Sequence, residues 1–384
     1  MATNQKTPSS LQASAQSAEQ SAEISANALT RKELFLRAAR CEPVPHVPVW
    51  MMRQAGRYLP EYRELRRKHA FLEVAKTPEL AAEVSLQPFR RLGVDAVIVF
   101  SDILIPAEAM GLGLELTDSG PLLPDPVRDA AHVEALRAFD PEIETRFVND
   151  AIRLLCRELG PDVPIIGFAA APFTLACYMV DGRGRESFPA TKSMMFTDAP
   201  LFRRLLEKIA RVTAAYLKAQ IAAGAFAVQL FDTWVGELST RDYREFALPA
   251  TQLLIRELAA GETPVIIYTK ASNHLLALAA ESGATVLSVD WRADLAEVRR
   301  ALGPRVALQG NIDPCLLLGP QPNIARAVAD AITQTGGLGH ILNLGHGILP
   351  MTPVDNAQAF ISAGQEFSLP PSLTISGAAA RRAT

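Results

Sequence analysis

Arg53 and Arg57 are the residues whose types and spacing best fit binding chemistry, and they flank Gln54-Ala55-Gly56. The guanidinium of arginine stays charged at any working pH, and its planar fork suits carboxylates and phosphates. The Ala-Gly step lets the backbone come close to a bulky ligand. The pattern therefore predicts a loop that binds a polyanion, and the alternative is a solvated basic turn paired with Glu61 and Glu64.

Bulk composition narrows the classes of protein. The chain has 384 residues, 49% of them hydrophobic, with a formal net charge of -3 and a pI of about 6.1. Nucleic-acid-binding proteins usually carry a basic excess, so this class is disfavoured. The cysteines form no Cys-x-x-Cys pair, which argues against a zinc knuckle or a redox motif and fits a reducing cytoplasm. They are Cys41, Cys156, Cys177 and Cys315.

The two ends of the chain differ from its middle. Residues 1–29 are rich in small and polar side chains and contain no arginine, so they resemble neither a secretory signal nor a transit peptide. We expect a disordered extension there, one catalytic domain over residues 30–369, and a flexible tail over residues 370–384. No apolar run is long enough to span a membrane, so no membrane partner is expected.

Short apolar runs alternate with longer helical patterns between these ends. The runs are mostly apolar rather than alternating, which is typical of parallel strands buried on both faces. They are Val47–Trp50, Val94–Phe100, Val163–Phe168, Ala225–Phe231, Pro264–Thr269, Thr285–Asp290, Arg305–Gln309 and His340–Leu344. Eight such units in sequence predict a single (β/α)8 barrel of the TIM type. The alternative is a doubly wound open sheet, which the lack of a G-x-G-x-x-G motif after the first run disfavours.

Helical patterns separate the predicted strands. Thr30 and Glu33 fit a capping box at the start of the first helix, and glycine, which commonly ends helices, follows most of the others. The predicted helices are Arg31–Ala39, Pro78–Leu92, Glu142–Leu159, Pro200–Ala223, Arg241–Ala260, Asn273–Ser282, Asp294–Leu302, Asn323–Thr335 and Val354–Ser368.

Unusual polar residues fall at the ends of the predicted strands. In a barrel of this type, function lies on the loops after the carboxyl ends of the strands. Asp102 follows the second run, Tyr178 the third, Thr233 the fourth and His346 the eighth. Together with the arginine loop, we expect them to meet at one rim.

Each of these residues also has a structural interpretation. Asp102 or Thr233 could cap the helix that follows, and Tyr178 could be a core aromatic with a solvated hydroxyl. A carboxylate after a wholly apolar run is otherwise a partly buried acid whose pKa is shifted. His346 lies between two glycines that leave its ring accessible, which favours ligand contact.

Two further charged pairs lie near the predicted rim. Lys270 and Asp290 stand at the ends of two strands and predict a structural ion pair across the rim. Arg183 and Arg185 lie in a Gly-containing loop, where a solvated loop is favoured over a cover for an anion.

The segment from Arg53 to Pro60 resembles the N-terminal signature of the uroporphyrinogen decarboxylase family. Five further segments resemble the other motifs of that family, in the same order. They are Phe100–Leu104, Ala171–Leu175, Tyr178–Val180, Phe231–Trp234 and Asn343–Ile348. The likeness extends over roughly residues 34–367.

The resemblance implies a cofactor-independent (β/α)8-barrel carboxy-lyase of haem and porphyrin biosynthesis, without a metal, that forms a cytoplasmic homodimer. It implies conversion of uroporphyrinogen III to coproporphyrinogen III, in which four acetate side chains become methyls with loss of four CO2. By motif match, Asp102 is the central catalytic carboxylate, and Arg53, Tyr178 and His346 join it in catalysis. The matched substrate-binding residues are Arg53, Gln54, Ala55, Gly56, Arg57, Asp102, Tyr178, Thr233 and His346.

The chemistry of that substrate fits these residue types. It carries eight carboxylates around four pyrroles whose N–H groups point inwards. Arginines can therefore pair with its carboxylates, and Asp102 can accept hydrogen bonds from several N–H groups. A pyrrole protonated at its α carbon serves as an electron sink, and a fixed anion stabilises the cation. The sequence leaves open whether an arginine, Tyr178, His346 or water delivers the protons.

Two other functions compete with this one. A corrinoid- or thiol-directed methyltransferase shares the barrel and distant motifs, but such enzymes use a Cys/His zinc site, and no His-x-Cys followed by a distant Cys occurs here. A non-catalytic tetrapyrrole carrier would keep the arginines without needing Asp102.

Overall fold

A curled parallel sheet forms the centre of the computed structural model, which describes residues 29–117, 120–184 and 187–368. Seven strands run in the order β1-β4-β5-β6-β7-β8-β9, and an antiparallel hairpin, β2-β3, follows β1. The strands are β1 (Val97–Ile98), β2 (Glu115–Thr117), β3 (Gly120–Leu122), β4 (Ile165–Ala170), β5 (Ala227–Asp232), β6 (Val265–Thr269), β7 (Val286–Val289), β8 (Ala307–Ile312) and β9 (His340–Leu344). The predicted extension, apart from Leu29, and the predicted tail lie outside the described residues.

The segment from Pro48 to Trp50 closes this sheet into a barrel between β9 and the residues before β1. Leu342 N donates to Pro48 O (2.9 Å), Trp50 N to Leu342 O (3.2 Å), and Asp95 N to Val49 O (2.8 Å). The predicted first strand is thus a single bridge, because Pro48 lacks an N–H and Val49 N donates to the Asp95 carboxylate (2.9 Å). The predicted TIM-type barrel is confirmed, except that its first strand consists of a single bridge. The doubly wound alternative is wrong.

Helices pack around the barrel. They are Arg31–Ala39, Pro60–Lys68, Phe71–Lys76, Pro78–Leu92, Ile105–Ala109, Ala130–Ala135, Arg146–Leu159, Pro172–Asp181, Pro189–Thr197, Ala199–Ala222, Thr240–Asp242, Leu248–Leu258, Leu276–Ala280, Leu295–Leu302, Gln321–Thr335 and Val354–Glu366, with a π-helical segment Tyr243–Ala247 and 3-10 turns Val235–Glu237, Asn273–Leu275 and Pro314–Leu318. The capping box of Thr30 and Glu33 is confirmed. Among the helices of the described residues, none is long and apolar enough to cross a membrane.

One predicted helix starts later than expected. The pattern from Glu142 predicts a helix, but residues 141–145 form turns and the helix begins at Arg146. The reason is local, because the Asp140 side chain accepts from Glu142 N (2.9 Å) and thereby favours a turn over helical pairing.

A buried polar network fills one layer of the barrel interior. Trp50 Nε1 donates to Gln309 Oε1 (3.0 Å), and Gln309 Nε2 donates to Gln229 Oε1 (3.0 Å) and Ser288 Oγ (2.9 Å). All four side chains are buried. Because a hydrogen bond between buried side chains requires its partners to lie in one relative placement, the network links the strands beneath the rim, although Gln229 Nε2 is buried without a partner.

Candidate active site

The loop that follows the Val49 bridge is anchored beneath its arginines. The side-chain amide of Gln54 is fully buried, accepts from Met51 N (3.2 Å) and donates to Ala96 O (3.0 Å). Arg53 has a left-handed backbone with φ 61°, a conformation that non-glycine residues adopt mainly where the surroundings impose it. The side chains of Arg53 and Arg57 are exposed, so Gln54 holds the loop while the arginines face outwards.

The pairing of this loop with Glu61 and Glu64, considered as the alternative, is wrong. Glu61 pairs with Arg91 (3.4 Å) and Glu64 with Arg67 (2.7 Å). Within the part of the chain that the structure describes, neither arginine of the loop has a carboxylate within 4.0 Å of its guanidinium. The loop therefore presents two uncompensated positive charges, as a polyanion-binding site requires.

Gly347, in the loop after β9, lies against the stem of Arg53. A Cβ at Gly347 would stand 2.3 Å from Arg53 Cδ and 2.8 Å from Cγ. Ile348 N donates to Met52 O (3.0 Å) and joins the two loops at this point. The missing side chain of Gly347 thus sets where the Arg53 guanidinium lies.

Asp102 stands after β1 as a partly buried carboxylate with spare hydrogen-bonding capacity. Its Oδ1 accepts from Leu104 N (2.8 Å), and its Oδ2 accepts no hydrogen bond within the described residues. Burial raises its pKa, while the Leu104 N–H and the nearby charge of Arg53 act in the opposite direction. Asp102 does not cap the helix Ile105–Ala109, whose N-cap is Leu104, so that structural role is wrong, whereas the pKa of the carboxyl group is raised as expected.

Tyr178 and Thr233 stand beside Asp102 along the rim. Tyr178 lies on the helix after β4, its ring 6.1 Å from that of Trp234, and burial and the charge of Asp102 raise its pKa. Thr233 follows β5 and is partly exposed. It does not cap the 3-10 turn Val235–Glu237, whose N-terminal cap is Trp234, so the structural role considered for Thr233 is wrong.

His346 lies across the barrel mouth on the ring of Tyr268. The two rings stack at 5.9 Å with an interplanar angle of 13°, and Tyr268 Oη lies 2.9 Å from His346 Nδ1 and 3.0 Å from Gly345 O. A phenol has one proton, so both contacts are hydrogen bonds when Tyr268 donates to Gly345 O and accepts from Nδ1–H. Nε2 of His346 is then an acceptor.

The charge of His346 is set by its neighbours. Burial lowers its pKa to about 3, and the positive charges of Arg53, Lys270 and Arg292 contribute to this shift. The imidazole is consequently neutral at neutral pH, since the pKa lies far below 7. Arg53 thus acts on both the carboxylate of Asp102 and the neutral ring of His346.

Several aromatic residues near the rim have no predicted role. Phe231 forms an aromatic layer beneath it, with ring centroids 5.5 Å from Phe168 and 6.0 Å from Tyr268. The alternation of side chains along a strand places residues two apart on the same face, so Phe231 and Tyr268 were detectable as inward-facing once β5 and β6 were predicted. What the sequence did not indicate is that their rings meet.

The predicted ion pair between Lys270 and Asp290 is wrong. Asp290 Oδ2 instead accepts from Arg292 Nη1 (2.6 Å) and from Ala271 N (3.0 Å). Asp290 and Arg292 are two residues apart, so their pairing is local and does not require a contact across the rim. In the Gly-containing loop with two arginines, Arg183 lies within the described residues, whereas Arg185 lies outside them.

Asp232, in the motif at the end of β5, has an entirely buried carboxyl group. Its Oδ1 accepts from Thr174 Oγ1 (2.8 Å), whereas its Oδ2 is buried without a partner. Burial raises the pKa of Asp232 to about 7, although the Thr174 hydrogen bonds oppose the shift. In the unfolded chain this carboxyl group loses its proton near pH 3.8. Between that pH and about 7, the folded state therefore keeps a proton that the unfolded state has released.

We expect Asp232 to make folding stability fall as pH rises from about 4 to about 7, because deprotonation leaves a charge without water around it. The slope from this group is up to about 1.4 kcal/mol per pH unit within that window. Asp232→Asn should remove this pH dependence. The free energy of unfolding of the variant, measured in urea, should therefore increase relative to that of the parent from pH 5 to pH 8. An equal stability difference at both pH values would contradict this assignment.

The fold and the rim define the class of this protein. It is a barrel of the TIM type whose polar site lies at the carboxyl ends of the parallel strands, where enzymes of this fold have their active sites. The family model for Uroporphyrinogen decarboxylase (URO-D) matches residues 30–367. The chain belongs to the uroporphyrinogen decarboxylase family, and the resemblance seen in its motifs is confirmed.

Curated relatives agree over nearly their whole length. The chain is 48% identical over 332 residues to the uroporphyrinogen decarboxylase of Gloeobacter violaceus, which is 86% of this chain and 96% of that protein. It is 51% identical over 335 residues to that of Pelobacter propionicus, which is 87% of this chain and 98% of that protein.

A solved methyltransferase shares the barrel. The methyltransferase from Methanosarcina mazei has a TM-score of 0.76 at 25% identity, covering 88% of this chain and 99% of that one. Within the described residues, no three His, Cys, Asp or Glu side chains form a group able to hold a metal ion. The much higher identity to the decarboxylases favours decarboxylation over methyl transfer.

Proposed function

We propose that this chain is a uroporphyrinogen decarboxylase that converts uroporphyrinogen III to coproporphyrinogen III and CO2. Its identity to curated relatives assigns it to the carboxy-lyases of porphyrin biosynthesis. The observation that carries the mechanism is the free Oδ2 of Asp102, whose carboxyl group lies near the charge of Arg53 and the phenol of Tyr178. A carboxylate in that position can accept the inward-pointing pyrrole N–H groups of a tetrapyrrole.

The arginine loop binds the peripheral carboxylates in this proposal. Arg53 and Arg57 form charge-assisted hydrogen bonds to them, and two parallel bonds also fix orientation. The N–H groups of Ala55 and Gly56 donate to no acceptor in the described part of the chain, so they are available to the same carboxylate. Gln54 contributes by holding the loop through its buried amide.

Thr233 and His346 complete the binding surface. The partly exposed hydroxyl of Thr233 can donate to a carboxylate oxygen. Neutral His346 offers the Nε2 lone pair, which suits an N–H donor of the substrate rather than an anion.

Each decarboxylation consumes one proton overall. A proton adds to the α carbon of a pyrrole, the C–C bond to CO2 breaks, and its electron pair neutralises the ring. The exocyclic methylene then takes a proton to become the methyl, while the ring carbon loses the proton it gained. Asp102 stabilises the cationic intermediate as a fixed anion. His346 is neutral, the pKa of Tyr178 is raised and an arginine guanidinium keeps its proton at any working pH, so water supplies the first proton.

Gly347→Ala tests the placement of Arg53 without removing a charge. The new methyl group would collide with the Arg53 stem, so we expect kcat/KM for uroporphyrinogen III to fall at least about 10-fold, which corresponds to about 1.4 kcal/mol. Gly113→Ala is the control, because its Cβ meets only the ring of Pro124, at 3.3 Å. Equal kinetics for both alanine variants would exclude this role of Gly347.

Product analysis after anaerobic incubation with uroporphyrinogen III tests the function itself. We expect stepwise loss of four carboxyl groups, which is measured by chromatography of the oxidised porphyrins. Binding without product would support the tetrapyrrole carrier instead. Stoichiometric zinc together with methyl transfer to a thiol would support the methyltransferase.

We also propose, from the family resemblance, that the chain acts as a homodimer in the cytoplasm. Light scattering of the purified protein at micromolar concentration should give twice the chain mass of 41.5 kDa. A mass of one chain at that concentration would contradict the dimer.

A further inference from the structure

Lys270, the residue after β6, carries a charge that no carboxylate of the described residues contacts directly, although Asp290 and Glu237 lie near enough to raise its pKa. Its Nζ lies 5.2 Å from the ring centroid of Trp234. Asp290, the nearest candidate partner, is occupied by Arg292 and by Ala271 N. Within the described residues Lys270 forms no ion pair and no hydrogen bond through Nζ. The ammonium thus lies over an aromatic face and has no carboxylate in direct contact.

The alternation along β6 places Lys270 at the mouth of the barrel. Tyr268 faces the interior, where it contacts Phe231 and His346. Residues two apart in a strand share a face, so Lys270 lies on the same side as Tyr268, one step nearer the rim. Trp234, on which it rests, contacts Tyr178. Lys270 therefore borders the same opening as the residues of the site.

The order of the strands puts Lys270 opposite Arg53. Around the closed barrel the Val49 segment is followed by β1, β4, β5, β6, β7, β8 and β9. β6 is four places from the Val49 segment in either direction, so Lys270 and Arg53 leave the barrel from diametrically opposite positions. Both charges act on His346, which lies near the mouth.

The backbone around Lys270 is fixed, so its position is not an accident of a loose loop. Gly236 packs closely against it, since a Cβ there would stand 2.5 Å from Lys270 O. Ala271 follows in a left-handed conformation, φ 51°, held by its hydrogen bond to Asp290. Burial and the charges of Arg292 and Arg53 lower the pKa of Lys270, so an anion at this place would relieve an existing repulsion.

We propose that Lys270 binds a peripheral carboxylate of the substrate on the side of the macrocycle opposite Arg53. This inference rests on the proposed function. A ligand with one anionic end needs cations on one wall only, whereas a ring with carboxylates on every pyrrole meets both walls at once. Lys270 thereby orients the ring over Asp102 from the far side.

Lys270→Met tests this proposal, because methionine keeps the apolar contact with Trp234 and removes the charge. We expect KM for uroporphyrinogen III in the anaerobic assay to rise about 10- to 100-fold, with a smaller change in kcat. Log(kcat/KM) should also fall less steeply with salt than in the parent, as expected when one charge contact is lost. Lys270→Arg should recover most of the affinity. Lys218→Met, on the exposed face of the helix Ala199–Ala222, is the matched control and should behave as the parent.

An unchanged KM and salt slope in Lys270→Met would overturn the proposal, as would a raised KM with the salt slope of the parent, which marks a structural role. Binding of uroporphyrin I, an air-stable octacarboxylate, is measured in parallel by fluorescence quenching. If the parent forms no product, the proposed function fails on its own. The ratio of uroporphyrin affinities between parent and Lys270→Met then still decides the role of Lys270, and a ratio near one overturns it.

Discussion

Asp102→Asn is expected to lower kcat for uroporphyrinogen III by about 100- to 1,000-fold while leaving the protein at least as stable as the parent. The asparagine side chain keeps the acceptor for Leu104 N but removes the fixed negative charge that stabilises the cationic intermediate. Loss of one such preorganised electrostatic group costs about 3–4 kcal/mol in the transition state. Because burial disfavours the charged carboxylate, the neutral variant loses no stability by the change.

Anaerobic steady-state kinetics and urea unfolding of the same preparations measure both halves of this result. Asp125→Asn is the matched control, since Asp125 is exposed. Parent-like turnover in Asp102→Asn would show that another group is central. Lost turnover together with lost stability would mean that Asp102 acts mainly in the fold.

The pH profile of the parent should report the same carboxylate. The charged form of Asp102 is the active one, and burial raises its pKa above the ordinary value of 3.8. Activity should therefore fall, as pH is lowered, at a higher pH than an ordinary aspartate would give.

Arg53→Ala is expected to raise KM by about 10- to 100-fold, since a hydrogen bond to a charged group contributes about 1.5–3 kcal/mol. Arg53 also supplies positive charge to two other groups of the site. Its removal should raise the pKa of His346 from about 3 and raise the pKa of Asp102 further. The acid limb of the kcat/KM profile should consequently move to higher pH. Nitrogen NMR of His346 should show the imidazole protonating at a higher pH than in the parent.

Arg211→Ala is the control for this variant, because Arg211 is exposed on a helix outside the barrel and pairs with Glu207 (3.7 Å). Its kinetics and the His346 titration should match those of the parent. An unchanged KM in Arg53→Ala would exclude the arginine as a binding group. An unshifted acid limb together with an unshifted His346 titration would exclude it as a source of positive charge at Asp102 and His346.

The sequence by itself determined the architecture and the location of the site. Buried parallel strands read as apolar runs and their helices as amphipathic patterns with caps, so β4 to β9 and the helix Arg31–Ala39 follow from local residue types. Since parallel strands end at one rim, the polar residues after them had to meet there. The arginine loop and Asp102 were accessible to that reasoning.

Only the tertiary structure decided how these residues behave. The first strand shrinks to one bridge because Asp95, far along the chain, takes the N–H of Val49. His346 is neutral because burial and the charges of three cations lower its pKa. Lys270 forms no ion pair because Asp290 pairs with Arg292. Burial, charge and hydrogen-bond competition depend on neighbours distant in sequence, and a pKa or an ion pair is a property of those neighbours rather than of the residue type.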